Sequence, residues 1–139
     1  MNQPDNKTPF LSVQNLTVEY TAAGDVIHAV NDVSFTLSRG QSLGLVGETG
    51  AGKTTIAKAI LRILPDPPAK VRQGKTLLDG VDLMSLSAKE MRSIRGKRIS
   101  MIFQDPMTAL NPVFTVGEQI SEVIELNELG ISKADAYQK

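Results

Sequence analysis

The chain has 139 residues, 41% of them hydrophobic, enough for one ordinary domain with a buried core. Its 15 Lys+Arg balance its 15 Asp+Glu, so no global charge points to nucleic acid or a membrane surface as a partner. Cysteine is absent, which excludes disulfides and thiolate metal sites in this stretch and fits a reducing compartment.

Residues 1–10 are polar, carry Pro4 and Pro9, and read as a flexible tail, not a signal peptide. No later run approaches the roughly 20 apolar residues that span a bilayer. Residues 11–20 predict a first strand, with Val13 on one phase and Leu16, Val18 and Tyr20 on the other; the phase change at Gln14-Asn15 predicts a bulge. Thr21 to Asp25 is a turn. Ile27 to Leu37 predicts a second strand, in which Val33, Phe35 and Leu37 alternate with polar residues as in a half-exposed antiparallel strand. Arg39-Gly40 turns the chain into Ser42 to Val46, whose apolar run predicts a short buried parallel strand.

Residues 47–54, Gly-Glu-Thr-Gly-Ala-Gly-Lys-Thr, then complete the pattern G-x-x-x-x-G-K-[ST], set between that strand and a helix. Gly47, Gly50 and Gly52 are expected to free the backbone for turns that aim successive N–H groups of Gly47, Glu48, Thr49, Gly50, Ala51 and Gly52 at phosphate oxygens. The helix N-terminus, with Lys53, Thr54 and Thr55 in its first turn, adds its positive dipole end. Lys53 can reach the β- and γ-phosphates, and Thr54 is placed to ligate Mg²⁺. The motif predicts a nucleoside triphosphate site. Glu48 could be mistaken for a general base, but its side chain is expected to face away from the phosphates.

The helix is predicted from Lys53 to Leu64, with Ile56, Ile60, Ile63 and Leu64 on one face, stopped by Pro65-Asp66-Pro67-Pro68. Leu77-Leu78 reads as a short strand ending at Asp79-Gly80. Ser87 to Glu90 is a capping box opening a helix, and Ile99 to Phe103 a further buried strand. A loop follows with Asp105-Pro106, a turn former, and Asn111-Pro112. A second capping box, Thr115 to Glu118, opens a helix with Val116, Ile120, Val123 and Ile124 on one face, and Ser132 starts a third.

The phosphate loop alone fits kinases, GTPases and motor ATPases. Phe103-Gln104-Asp105-Pro106, after an apolar strand and about fifty residues beyond Lys53, resembles the glutamine loop of ABC-transporter ATPases. Tyr20 resembles their adenine-stacking aromatic. Residues 29–35 and 40–48 follow the same family, and residues 104–112 look like its oligopeptide, dipeptide and nickel importer subgroup.

The resemblance implies an α/β fold of the P-loop NTPase, ABC ATPase type. It would have a mixed core sheet, antiparallel strands from residues 11–37, an N-terminal core over 11–112 and the start of a helical subdomain over 113–139. It implies that ATP and Mg²⁺ are bound by Tyr20, residues 47–55 and Gln104. The Gln104 amide would offer its carbonyl to the metal and its NH₂ to the γ-phosphate or water, with Lys53 and Gln104 acting in catalysis. Implied partners are a second ATPase subunit, identical or related, integral-membrane permease subunits and, indirectly, a solute-binding protein, with no nucleic acid. The place implied is the cytoplasmic face of the membrane, held peripherally.

The family's Leu-Ser-Gly-Gly-Gln-like signature, its Asp-Glu strand and its later switch histidine have no counterpart in these 139 residues. Leu86 to Glu90 only echoes the signature and lacks its glycines; His28, the only histidine, precedes the phosphate loop and reads as structural. The expectation is the first part of an ATPase domain that grips nucleotide and, by itself, does not turn it over. A binding module without turnover, a P-loop kinase and a non-transport ABC protein of repair or translation are the alternatives.

Overall fold

In a computed structural model describing residues 8–105, 110–128 and 130–139, the N-terminal strands β1 (Leu11–Ala22) and β2 (Asp25–Leu37) form an antiparallel hairpin. Its two turn residues, Ala23 (φ 52°) and Gly24 (φ 93°), both take the positive φ that matches strand twist in a two-residue turn. The bulge expected near Gln14-Asn15 is present, since the pairing shifts register between Val13 and Leu16. There Asn15 (φ 50°) faces Asp32 (φ 52°) of β2, and the Asn15 Nδ2 donates to Asp32 Oδ1 at 2.8 Å. Asn and Asp tolerate this left-handed geometry because their short polar side chains bond locally.

β3 (Ala69–Leu78) pairs antiparallel with the other side of β1, and β4 (Val81–Asp82) closes the order β2-β1-β3-β4. The sheet is wholly antiparallel, and β3 begins eight residues before the Leu77-Leu78 pair that marked it in the sequence. Leu16, Val18 and Val13 of the central strand are fully buried. Burial of each stabilises the fold by about 1.5–3 kcal/mol. Helix α1 (Lys53–Ile60) covers β1 and β2, burying Ile56, Ala59 and Ile60.

α1 ends four residues before the expected Leu64, and the prolines are not what stops it. Arg62 turns left-handed (φ 52°); its N–H donates to Ala59 O and that of Ile63 to Lys58 O, the paired bonds of a Schellman stop with arginine in glycine's usual place. Two guanidinium groups secure it. Arg62 Nη1 donates to Leu83 O and Leu86 O, and Arg95 donates to Leu61 O and Arg62 O, both at 2.7 Å. Arg95 thus satisfies carbonyls that the C-terminus of α1 leaves open, and Arg62 ties that end to the segment leading into α2. Helix α2 (Ala88–Ile94) starts at the predicted capping box and buries Met91.

The buried strands expected at Ser42–Val46 and Ile99–Phe103 are not strands. Residues 41–48 are exposed and pair with nothing in the described sheet; Val46 is 97% exposed. At the second run only Ile99 makes a bridge, through Gly96 N–H, and Ile102 is 97% exposed. A parallel strand exists only through hydrogen bonds to its neighbours, so apolar composition cannot make one alone.

The chain divides into two units, Met1–Arg95 and Gly96–Lys139, a boundary upstream of the 112/113 division expected from the sequence. The second holds α3 (Val116–Asn127) and α4 (Lys133–Gln138), capped by Thr115 and Ser132 as predicted. These helices meet through small residues: Ser121 and Ala136 are buried, and a Cβ on Gly117 would lie 2.8 Å from the Tyr137 hydroxyl. Of the apolar face marked in the sequence, Ile124 is half-buried, while Val116, Ile120 and Val123 are turned from that contact and more than half exposed.

Candidate functional site: a phosphate loop

Residues 47–52 carry the chain from the exposed 41–46 segment into α1. Gly50 (φ 84°) and Gly52 (φ 81°) adopt conformations that L-residues avoid. Gly52 is doubly constrained, because a Cβ there would sit 2.3 Å from the Ala29 carbonyl oxygen of β2. Gly47 differs: its φ is not positive, and a Cβ would meet Ala51 Cβ at 3.4 Å, an ordinary contact. The turn argument therefore holds for Gly50 and Gly52 and not for Gly47.

Gly52 caps α1 without a side-chain hydrogen bond, and the first turn holds no acidic residue. The orphan N–H groups and the dipole of this helix end are thus not neutralised by a carboxylate of that turn. Lys53 folds back over the loop, its Nζ donating to Gly47 O at 2.6 Å and to Glu48 O at 2.5 Å. An ammonium has three donors, so one remains for an anion while two hold the side chain in place. The Ala51 N–H closes a turn on Glu48 O at 3.2 Å. Glu48 enters this arrangement through its carbonyl, not its carboxylate.

Thr54 is exposed on the first turn, beside Lys53; Thr55 is half-buried; Thr49 and Ala51 are exposed. An exposed loop, one fixed ammonium and no first-turn carboxylate fit a phosphate chain. A single neutral hydroxyl fits Mg²⁺ that arrives with phosphates, since Mg²⁺ takes few protein ligands when substrate oxygens supply the rest. Among the described residues no cluster of three or more His, Asp or Glu could hold a metal by itself.

Tyr20 is half-buried near the end of β1. Val18 and Tyr20, two apart, share a face; Val18 pairs with Val30, whose Cγ2 would lie 3.4 Å from a Cβ on Gly52. Tyr20 therefore lies on the phosphate-loop face, about 7 Å further along the strand. Gln104 is exposed and belongs to the second unit. The remainder of its motif, 106–109, lies outside the described residues.

His28 is largely exposed, 3.5 Å from Glu19, on the opposite sheet face from Tyr20. The sequence missed Ala29, whose main-chain oxygen sets how closely β2 approaches Gly52; a backbone contact leaves no residue-type signal. A cleft of about 460 Å³ lies at the far end of α1, lined by Lys70 and by Arg62 and Arg72, of which the two arginines are engaged with Leu83 and Leu86 carbonyls and with Glu19.

Residues 30–138 match the family model described as ABC transporter. The chain belongs to the ABC transporter family. It is 44% identical over 132 residues to the oligopeptide transport ATP-binding protein OppD of Bacillus subtilis (strain 168), covering 95% of this chain and 37% of that protein. It is 53% identical over 114 residues to the dipeptide transport ATP-binding protein DppD of the same organism, covering 82% and 34%. The dimeric structure of MJ0796, a bacterial ABC transporter cassette, superposes with a TM-score of 0.78 at 22% identity, covering 92% of this chain and 53% of that one. At that identity the likeness establishes the fold, an ABC ATPase cassette. The chain spans about a third of the length of the curated relatives it matches.

Proposed function

We propose that the chain is the nucleotide-gripping part of an ATP-binding subunit that powers ABC-type import of peptides or a related solute. The observation that carries this is Lys53, pinned on Gly47 and Glu48 carbonyls at an uncapped helix N-terminus with a donor to spare. Family membership and the peptide-transport names of the relatives favour this over a P-loop kinase.

In this reading the loop N–H groups and Lys53 bind the β- and γ-phosphates, Thr54 contributes a hydroxyl to Mg²⁺, and Tyr20 offers its ring face to adenine. Mg²⁺, held by the Thr54 hydroxyl and the phosphates, would supply charge neutralisation on the phosphate oxygens for in-line attack by water. Lys53 stabilises charge developing there, and Gln104 orients the water or the γ-phosphate. In the whole protein two such domains close around ATP and reopen after hydrolysis, driving permease subunits on which the pair sits at the cytoplasmic membrane face. A core over 11–112 and a helical subdomain beginning at 113 remain the proposed domain plan.

The test is calorimetric titration with ATP and ADP. Lys53→Ala keeps the N–H cradle but removes a charge-assisted contact, and is expected to weaken both nucleotides at least tenfold. Unchanged affinity would overturn the assignment.

A further inference from the structure

Beyond Tyr20, the hairpin brings a second apolar side chain to the same place. β2 carries one extra residue where its pairing steps from Val18↔Val30 to Glu19↔His28, so Ala29 stands in a bulge. Without it, strict alternation from Val30 would put His28 on the phosphate-loop face. With it, Ile27 comes to that face instead, directly opposite Tyr20, and His28 goes to the other side with Glu19 and Arg72. Ala69 of β3 flanks Tyr20 from the other edge and is buried. Ile27 is 55% exposed although it is a large aliphatic residue in a paired strand.

We infer that Ile27 is a nucleobase-binding residue, forming with Tyr20 a two-residue apolar shelf that takes the base of a nucleoside triphosphate. This rests on the nucleotide-binding reading and adds a residue to it. The Ala29 bulge serves both ends of the ligand: its carbonyl fixes Gly52, and the extra residue turns Ile27 toward the base. At this level of the hairpin the charged groups Glu19, His28, Lys70 and Arg72 lie with Glu19 on the opposite face or at its strand partners, so the shelf itself presents Tyr20, Ile27 and Ala69. Such a surface gains affinity from apolar contact and does not read exocyclic donors and acceptors.

The experiment measures equilibrium binding of ATP, GTP and inorganic tripolyphosphate to the chain and to Ile27→Ala, Ile27→Leu, Tyr20→Ala and Lys53→Ala. Ile27→Ala is expected to weaken ATP and GTP alike by roughly three- to tenfold, leaving tripolyphosphate unchanged, with Ile27→Leu close to the starting protein. If Tyr20→Ala weakens ATP while Ile27→Ala does not, the shelf is wrong and the Tyr20 platform stands. Equal losses for ATP and tripolyphosphate in Ile27→Ala would place its effect in the phosphate loop and overturn the inference. Should neither hairpin variant affect ATP while Lys53→Ala does, the base site as a whole is misplaced. No effect of Lys53→Ala would instead remove the nucleotide reading beneath it.

Discussion

At the scale of single residues, Lys53 and Thr54 occupy adjacent positions on one helix turn, and in the proposed reading they divide the ligand between them. Lys53 faces back across the loop to Gly47 and Glu48 carbonyls, whereas Thr54 is exposed. Thr54→Ala is therefore expected to weaken ATP about tenfold with Mg²⁺ present, the scale of one charged-group hydrogen bond, and hardly at all in a chelator. A loss of equal size in both buffers would show that the hydroxyl is not a metal ligand. Gly52 offers a sharper case. Gly52→Ala brings a methyl against the Ala29 oxygen at 2.3 Å in a left-handed conformation, so the loop or β2 must shift. Its nucleotide binding is expected to fall below that of Gly47→Ala, where the added carbon meets only Ala51 at 3.4 Å. Titration of the two variants side by side decides it; equal damage would mean that Gly47 is constrained by the bound phosphate.

Among the elements, those legible in the sequence were the ones built from neighbours along the chain. Ser87 and Thr115 each accept from the backbone N–H three residues on, and Glu90 and Glu118 reach back to the cap N–H and hydroxyl, a pattern that four residues specify. The end of α1 was not legible, because Arg62 and Arg95 reach carbonyls across the fold and nothing local announces it. Nor was the length of β3, whose Lys70, Arg72 and Lys75 look like loop until β1 pairs with them. The capping boxes predict a pH dependence. Hydrogen bonds from Ser87 hold the Glu90 carboxyl below its usual range, and those from Thr115 do the same for Glu118. A lowered folded-state value means that the stabilisation is complete above the ordinary glutamate range and is lost as pH falls through the folded value. Wild type is thus expected to unfold at a higher temperature than Glu90→Gln/Glu118→Gln at neutral pH, the two converging in strong acid. A gap that persists in strong acid would assign the effect to shape and not charge. Thr76 makes the opposite kind of case: fully buried on β3, its hydroxyl has no hydrogen-bond partner. Thr76→Val is expected to raise stability by about 1 kcal/mol in urea unfolding, since it removes an unpaired polar atom at nearly constant shape.

Over the whole molecule, apolar residues written for burial stand in water. Val46 and Ile102 are each 97% exposed, Val113 82%, and Leu126 71%, while the α3 stripe of Val116, Ile120 and Val123 is more than half exposed. Composition along 42–46 and 99–103 gives the burial these segments are suited to, and only partners in space decide whether they receive it. Each unit carries part of this surface. Isolated exposed hydrophobes are ordinary, but runs of them drive association. The chain is therefore expected to sediment as a concentration-dependent mixture of monomer and larger species. Ile102→Ser, acting in the 99–103 segment, and Val123→Ser, acting on the α3 stripe, should each raise the monomer fraction, and together should act additively if the two surfaces are independent. Neither change touches the phosphate loop, so tripolyphosphate affinity is expected to stay constant as association weakens. A chain monomeric at millimolar concentration, or association indifferent to both substitutions, would mean that the exposed apolar residues do not drive contact between copies.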